Sequence, residues 1–181
     1  MGKQLSEITP ILQDFIEKQH IFFVGTAGAS GRVNLSPKGM DSLKVLSPQQ
    51  VIWLNVTGSG NESAAHVLEN GRMTLMFCAL EGPPLILRLY GLAQVFHPRD
   101  PEWNSLLEHF PALPSSRQIF ILEVELVQTS CGMAVPFMNY QGERTALNEH
   151  NAKQSPEQRE DYWERKNTLS LDGKPTGIFE G

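Results

Sequence analysis

Over most of the chain apolar residues recur at every second position, the period of a β-strand with one buried face. In "VIWLNV" Ile52, Leu54 and Val56 alternate with Val51, Trp53 and Asn55, and aromatic and β-branched residues are dense. "RMTLMFCAL" puts Met73, Leu75, Phe77 and Ala79 on one face. "RQIFILEVELVQTS" points Phe120, Leu122, Val124 and Leu126 one way and Glu123 and Glu125 the other. "PPLILRLYGLAQVF" reads as one long strand in which Gly91 marks a bulge or bend. "HIFFVGTA", "GASGR" and "VNLSPKG" read as a hairpin, followed by "LKVLS".

The period lengthens to that of a helix in four places. Residues 9–19 carry Thr9 as cap, Pro10 at the first helical position, and Leu12, Phe15 and Ile16 on one face. Residues 60–70 follow a capping-box spacing, Ser59-x-x-Glu62, and stop at Gly71. "DPEWNSLLEHF" is capped by Asp100 and presents Trp103, Leu106, Leu107 and Phe110. Ser155-Pro156 opens a polar helix through Tyr162 and Trp163, in a tail that is either a solvated arm or a piece that packs on a partner subunit. Many strands with few crossover helices predict a mainly β fold with peripheral helices, an antiparallel barrel or sheet and not a doubly wound one.

"TGSGN" joins the strand ending at Val56 to the following helix and admits two readings. A helix N-terminus with Gly58 and Gly60 beside it suits a phosphate, with Thr57, Ser59, Asn61 and Ser63 adding hydrogen bonds. Alternatively the stretch only turns the chain and caps the helix. Glu62 would repel an anion and compete for the same N–H groups. "GSGNES" approaches the dinucleotide pattern GxGxxG/A, but Ser63 stands at the last position and the chain offers one βαβ crossover at most. The Gly-Lys-Ser/Thr ending of a P-loop is missing, and no Ser/His/Asp set can be assembled from spacing.

Composition narrows the partners. The 181 residues carry 15 Lys plus Arg against 20 Asp plus Glu, a net charge of -5, which argues against a nucleic-acid surface and leaves room for a local basic pocket. No stretch approaches the apolar length of a membrane span, and the N-terminus lacks the apolar core of a signal peptide. The two cysteines, Cys78 and Cys131, form no CxxC motif and fit a reducing cytoplasm, with Cys131 read as a small residue packed at a strand end. The five histidines have no zinc-ligand spacing, so no metal is expected.

"VNLSPKGMDSLKVLSPQQVIWLNVTGSGNESAAHVLENGRMTLMFCAL", with "CGMAVPFMNYQGER" further on, resembles the flavin-binding split-barrel family typified by pyridoxamine 5′-phosphate oxidase, and within it a small uncharacterised subgroup. The resemblance runs over roughly residues 5–145 and weakens in the tail. It implies a six-stranded antiparallel Greek-key split barrel over residues 1–145, with residues 146–181 as a helical and extended arm of the same domain. It also implies a homodimer with FMN at the subunit interface, acting as an oxidoreductase on a small molecule. The alternative is a binding or storage protein that holds flavin or haem in the same barrel without turnover. The implied cofactor contacts are Asn34, Ser36, Pro37, Lys38, Thr57, Gly58, Ser59, Gly60, Asn61 and Ser63, with Lys38 as compensating cation. No catalytic side chain is assigned, because the hydride chemistry belongs to the flavin. The chain departs from the oxidase at Glu62–Ser63, where an arginine-lysine pair is usual, and at Val33, where an arginine is. The oxidase's C-terminal substrate-binding pattern is not evident, so vitamin B6 oxidation is not the expected reaction.

Overall fold

A computed structural model of the chain describes residues 2–114 and 116–179. Its strands are β1 (Lys3–Leu5), β2 (Phe22–Ala27), β3 (Val33–Lys38), β4 (Leu43–Ser47), β5 (Gln50–Val56), β6 (Arg72–Cys78), β7 (Ile86–Phe96) and β8 (Ser116–Ser130). Its helices are α1 (Pro10–Glu17), α2 (Glu62–Asn70), α3 (Trp103–Leu107), α4 (Ala146–Ala152) and α5 (Pro156–Lys166). The order across the sheet is β3-β2-β6-β7-β8-β5-β4, every pair antiparallel. This is the split-barrel architecture. Eight strands stand where six were expected, one of them the three-residue β1, which pairs with the far end of β8 beyond the stretch that pairs with β5.

One apolar core fills the barrel, built from the inward residues of each strand: Val24, Trp53, Leu75, Phe77, Leu89, Phe120 and Leu122. Trp53 stacks on Phe120 at 4.4 Å between ring centroids. Helix α1 closes one end with Leu12 and Ile16, and its cap forms as expected, the Leu12 N–H donating to Thr9 Oγ1. A second cluster, Ile52, Leu54, Trp103, Phe110 and Ile119, lies on the opposite face of β5 and β8 beneath α3. Strand β8 is therefore covered on both faces along its first half.

Four local expectations change. The capping box at α2 does not form: Asn61 is the residue ahead of the helix, no side chain caps it, and the Glu62 carboxylate accepts from the Leu171 N–H instead. Helix α3 is a short Trp103–Leu107 turn, and the Asp100 carboxylate accepts from the His97 N–H at 2.7 Å. In β8 the core face passes from Val124 to Val127 and not to Leu126, because the register shifts at Tyr90/Gly91 and Glu125 is the extra residue. Cys131 is exposed and is not packed at the strand end. Gly71 does end α2 in the left-handed conformation, at φ 71.

Candidate functional site

Strand β3 carries its polar residues on one face. Asn34, Ser36 and Lys38 pair in register with the inward residues Thr26, Val24 and Phe22 of β2, so all three side chains turn toward the mouth of the barrel. The Thr57–Asn61 turn approaches the same mouth from the end of β5. Together they wall a cavity of about 360 Å³, a size within the range of small-molecule sites. All ten residues expected at the cofactor line it: Asn34, Ser36, Pro37, Lys38, Thr57, Gly58, Ser59, Gly60, Asn61 and Ser63. Asn34 ties β3 to α2 by donating to Ser63 Oγ at 3.1 Å and to Thr26 Oγ1 at 3.3 Å.

Lys38 lies over the Trp53 ring, 5.5 Å from its centroid, and donates to Asn55 Oδ1 at 3.3 Å. Burial, with Arg117 nearby, pushes its ammonium down to about 8, while Glu62 pulls the other way. Asn55 in turn donates to Gln118 Oε1 at 3.2 Å, and Gln118 faces His97 Nε2 at 3.3 Å. Burial and Arg99 push His97 down to about 4, so the ring is neutral and its Nε2 accepts from Gln118. The donor direction runs from Lys38 to His97, which fixes the orientation of both amides and presents an acceptor to the lysine.

The sequence reading missed Arg117, on the same cavity. It is 2% exposed and donates from Nη1 to Asn167 Oδ1 at 2.7 Å and to Gly58 O at 3.4 Å. Burial pushes its guanidinium down to about 10. One signal was available in the sequence: Arg117 shares the phase of Ile119, an apolar position, so a charge there faces a covered side of the strand.

The tail was left as either a solvated arm or a piece for a partner, and it packs on its own chain over the turn. Helix α5 starts with the expected Ser155 cap and a full capping box to Gln158. It delivers Trp163, whose Nε1 donates to Thr57 Oγ1 at 2.7 Å. Asn167, wholly buried, donates to Gly58 O at 3.1 Å and accepts Asn61 Nδ2 at its carbonyl at 3.0 Å. Further on, Asp172 pairs with Arg32 and Lys174 with Glu69, which pins the tail to the β2–β3 hairpin tip and α2. Glu62, expected to oppose an anion, has its carboxylate held against Gly60 and the tail.

A second cavity of about 770 Å³ adjoins the first through Gly39, Met40, Ser42 and Leu113. Its wall includes Phe22, Phe77 and the His20–Tyr140 pair, stacked at 3.6 Å. Between the two cavities Met40 and Asp41 both adopt positive φ, 65 and 51, an uncommon conformation for residues with side chains. Among the described residues no helix is long and apolar enough to cross a membrane, and no group of three or more His, Cys, Asp or Glu is placed to hold a metal ion.

Residues 8–131 match the family model described as pyridoxamine 5′-phosphate oxidase. The chain is 39% identical over 133 residues to the pyridoxamine 5′-phosphate oxidase family protein ustO of Aspergillus flavus, covering 71% of this chain and 53% of that protein. It therefore spans about half the length of that relative. Among solved structures, a variant of HupZ from Group A Streptococcus aligns with a TM-score of 0.56 at 21% identity, over 68% of this chain and 99% of that one. A candidate pyridoxamine 5′-phosphate oxidase of Lactobacillus delbrueckii aligns with a TM-score of 0.55 at 19% identity, over 68% and 94%. At those identities the likeness is one of fold.

Proposed function

The chain belongs to the pyridoxamine 5′-phosphate oxidase family, and on that premise we propose that it binds FMN in the cavity between β3 and the Thr57–Asn61 turn and uses it to oxidise or reduce a small molecule. The family typically binds flavin. The observation that carries the reading is the cavity itself: the ten expected residues meet there, and two cations face it, the half-buried Lys38 among the ten and the buried Arg117, in a chain of net charge -5. FMN brings a phosphate of about -1.5 to -2 charge, which those cations suit. When bound, the flavin supplies hydride or electron transfer. The protein's own part is to hold the phosphate end with Lys38 and the turn, to fix Lys38 through Asn55, and to screen the site from water with the tail. The adjoining larger cavity offers room for a substrate next to the flavin site.

The test is the visible spectrum of freshly purified protein, followed by FMN titration and mixing with NADH or NADPH. Two flavin bands or saturable FMN binding, with reduction and reoxidation of the flavin, support the reading. A colourless protein that neither binds FMN nor gains thermal stability from it overturns it. Flavin that is held but never reduced marks a carrier or store, and a single sharp band at shorter wavelength marks haem.

The same strand supports a homodimer. The face of β3 turned away from the cavity carries Val33 and Leu35, 77% and 66% exposed, on an edge strand of the sheet. On that face Phe23 pairs with Met76 and Tyr90 with Leu126, in two neighbouring rows that also carry Thr74, Arg88 and Gln128. An apolar face on an open edge invites a partner, and a second copy there would place the flavin site beside the subunit interface. Leu35→Glu is expected to convert the dimer to monomer with unchanged far-UV circular dichroism, since the side chain is exposed in the protomer. Light scattering coupled to gel filtration checks this; an unchanged mass excludes this face.

A further inference from the structure

We propose that Arg117 is the residue by which this cavity selects a phosphate monoester bearing a neighbouring hydroxyl, so that its specificity is for the phosphorylated end of the ligand and not for the flavin ring alone. The inference rests on the FMN reading for the identity of the ligand, but its chemistry stands on the site.

A buried guanidinium is costly unless its charge and all its donors are satisfied. Arg117 donates only to neutral acceptors, Asn167 Oδ1 and Gly58 O, while the Glu62 carboxylate attracts it from beyond contact distance, and its buried Nε has no hydrogen-bond partner. Among the described residues no carboxylate oxygen lies within 4.0 Å of it. The side chain is therefore kept at the expense of the apo fold, and it lies on the wall of the cavity.

A second group on the same wall is also left open. Asn61 is 2% exposed, its Nδ2 is used by Asn167 O, and its Oδ1 has no partner. Helix α2 starts just after it with no side-chain cap, so its first N–H groups are not taken by a side chain. The cavity thus offers an unfilled cationic donor and uncapped helix N–H groups beside an unfilled neutral acceptor. The complement is an anion whose next atoms carry a hydroxyl: the phosphate and sugar-alcohol end of FMN matches, and riboflavin lacks the anion. Asn167 gives the arrangement its rigidity. It holds Nη1 of Arg117 with one side-chain atom and the turn carbonyl of Gly58 with the other.

The experiment titrates wild type, Arg117→Met and Arg117→Lys with FMN and with riboflavin, and follows the melting temperature of each apo protein with added inorganic phosphate. Wild type is expected to prefer FMN over riboflavin by well over about 100-fold, since Lys38 and Arg117 both make charge-assisted contacts to phosphate. In Arg117→Met that preference falls by about 100-fold, leaving the part that Lys38 supplies, while riboflavin affinity holds, and Arg117→Lys falls between. Inorganic phosphate raises the melting temperature of wild type and not of Arg117→Met, whose apo form melts no lower than wild type. Equal loss of both flavins in Arg117→Met, or an unchanged preference, overturns the proposal. If wild type binds neither flavin, the FMN reading fails and the phosphate arm decides alone. A phosphate response lost in Arg117→Met upholds the anion anchor, and an equal response in both proteins removes it.

Discussion

Replacing Lys38 by methionine is expected to weaken FMN binding by about 100-fold while leaving the apo protein no less stable at pH 7. Both halves follow from the same burial. The folded protein holds the ammonium at about 8, against an ordinary 10.5, because burial and then Arg117 disfavour the charge. Between those two values the unfolded chain binds more protons than the folded one, so this group makes stability rise with pH there. Below pH 8 the full penalty of the buried charge is present, and methionine removes it. Against that gain stand the lost hydrogen bond to Asn55 and the lost contact with the Trp53 ring. An anionic ligand reverses the balance, since it favours the charged lysine. Above about pH 8 the apo protein must take up a proton to bind. The dissociation constant should be flat near pH 7 and rise by up to about tenfold per unit beyond pH 8. Lys38→Met should lack that slope. Flavin fluorescence titrations from about pH 6.5 to 9.5, with calorimetric melting of the apo forms, check both statements. An affinity within twofold of wild type, or the same slope in both proteins, removes Lys38 as an anion contact.

The parts of the site that the sequence disclosed are those written in local pattern. The family resemblance named Asn34, Ser36 and Lys38 on the extended VNLSPK piece, and the structure turns all three to the cavity side of β3 with Val33 and Leu35 on the other side. Small residues between a strand and a helix placed the turn. Asn167 carries no such signature, and the phase of Arg117 marks only a covered side of its strand, because what makes the two matter is a meeting of residues 50 positions apart. The capping box failed for a related reason: the spacing was right, but the tail supplies Glu62 with a backbone N–H and the helix starts three residues after Ser59. Ser155 and Gln158 show the same spacing succeeding where no distant segment competes for the N3 side chain. The tail itself reads as a solvated stretch because its contacts run through single polar atoms, Trp163 Nε1, the Asn167 side chain and Lys174 Nζ, and not through an apolar stripe. Hydrophobic periodicity cannot see that kind of docking.

The largest effect on stability is expected at Gly91, far from any ligand. Gly91→Ala should cost about 3 kcal/mol or more, whereas Gly25→Ala, in the neighbouring part of the same sheet, should stay within about 0.5 kcal/mol. A Cβ on Gly91 would overlap the carbonyl oxygen of Glu123, and would sit 2.8 Å from its carbonyl carbon and 3.2 Å from the Glu125 nitrogen. All of these are backbone atoms in a strand paired on both edges, with β7 on one side and β5 and β1 on the other. They cannot step aside as a flexible side chain would. A Cβ on Gly25 meets nothing closer than 3.7 Å. The position is demanding because the bulge re-phases β8. Before it, Leu122 and Val124 face the barrel; after it, Val127 does, and Leu126 joins Tyr90 on the outer face proposed for the dimer. Relieving the clash by slipping one residue would invert every side chain on one half of β8. Either Val127 and the β1 pairing leave the core, or Gln118 leaves Asn55 and the support beneath Lys38 goes with it. Urea denaturation of the two variants beside wild type measures the difference, and an unchanged midpoint for Gly91→Ala would mean that the bulge can open without cost.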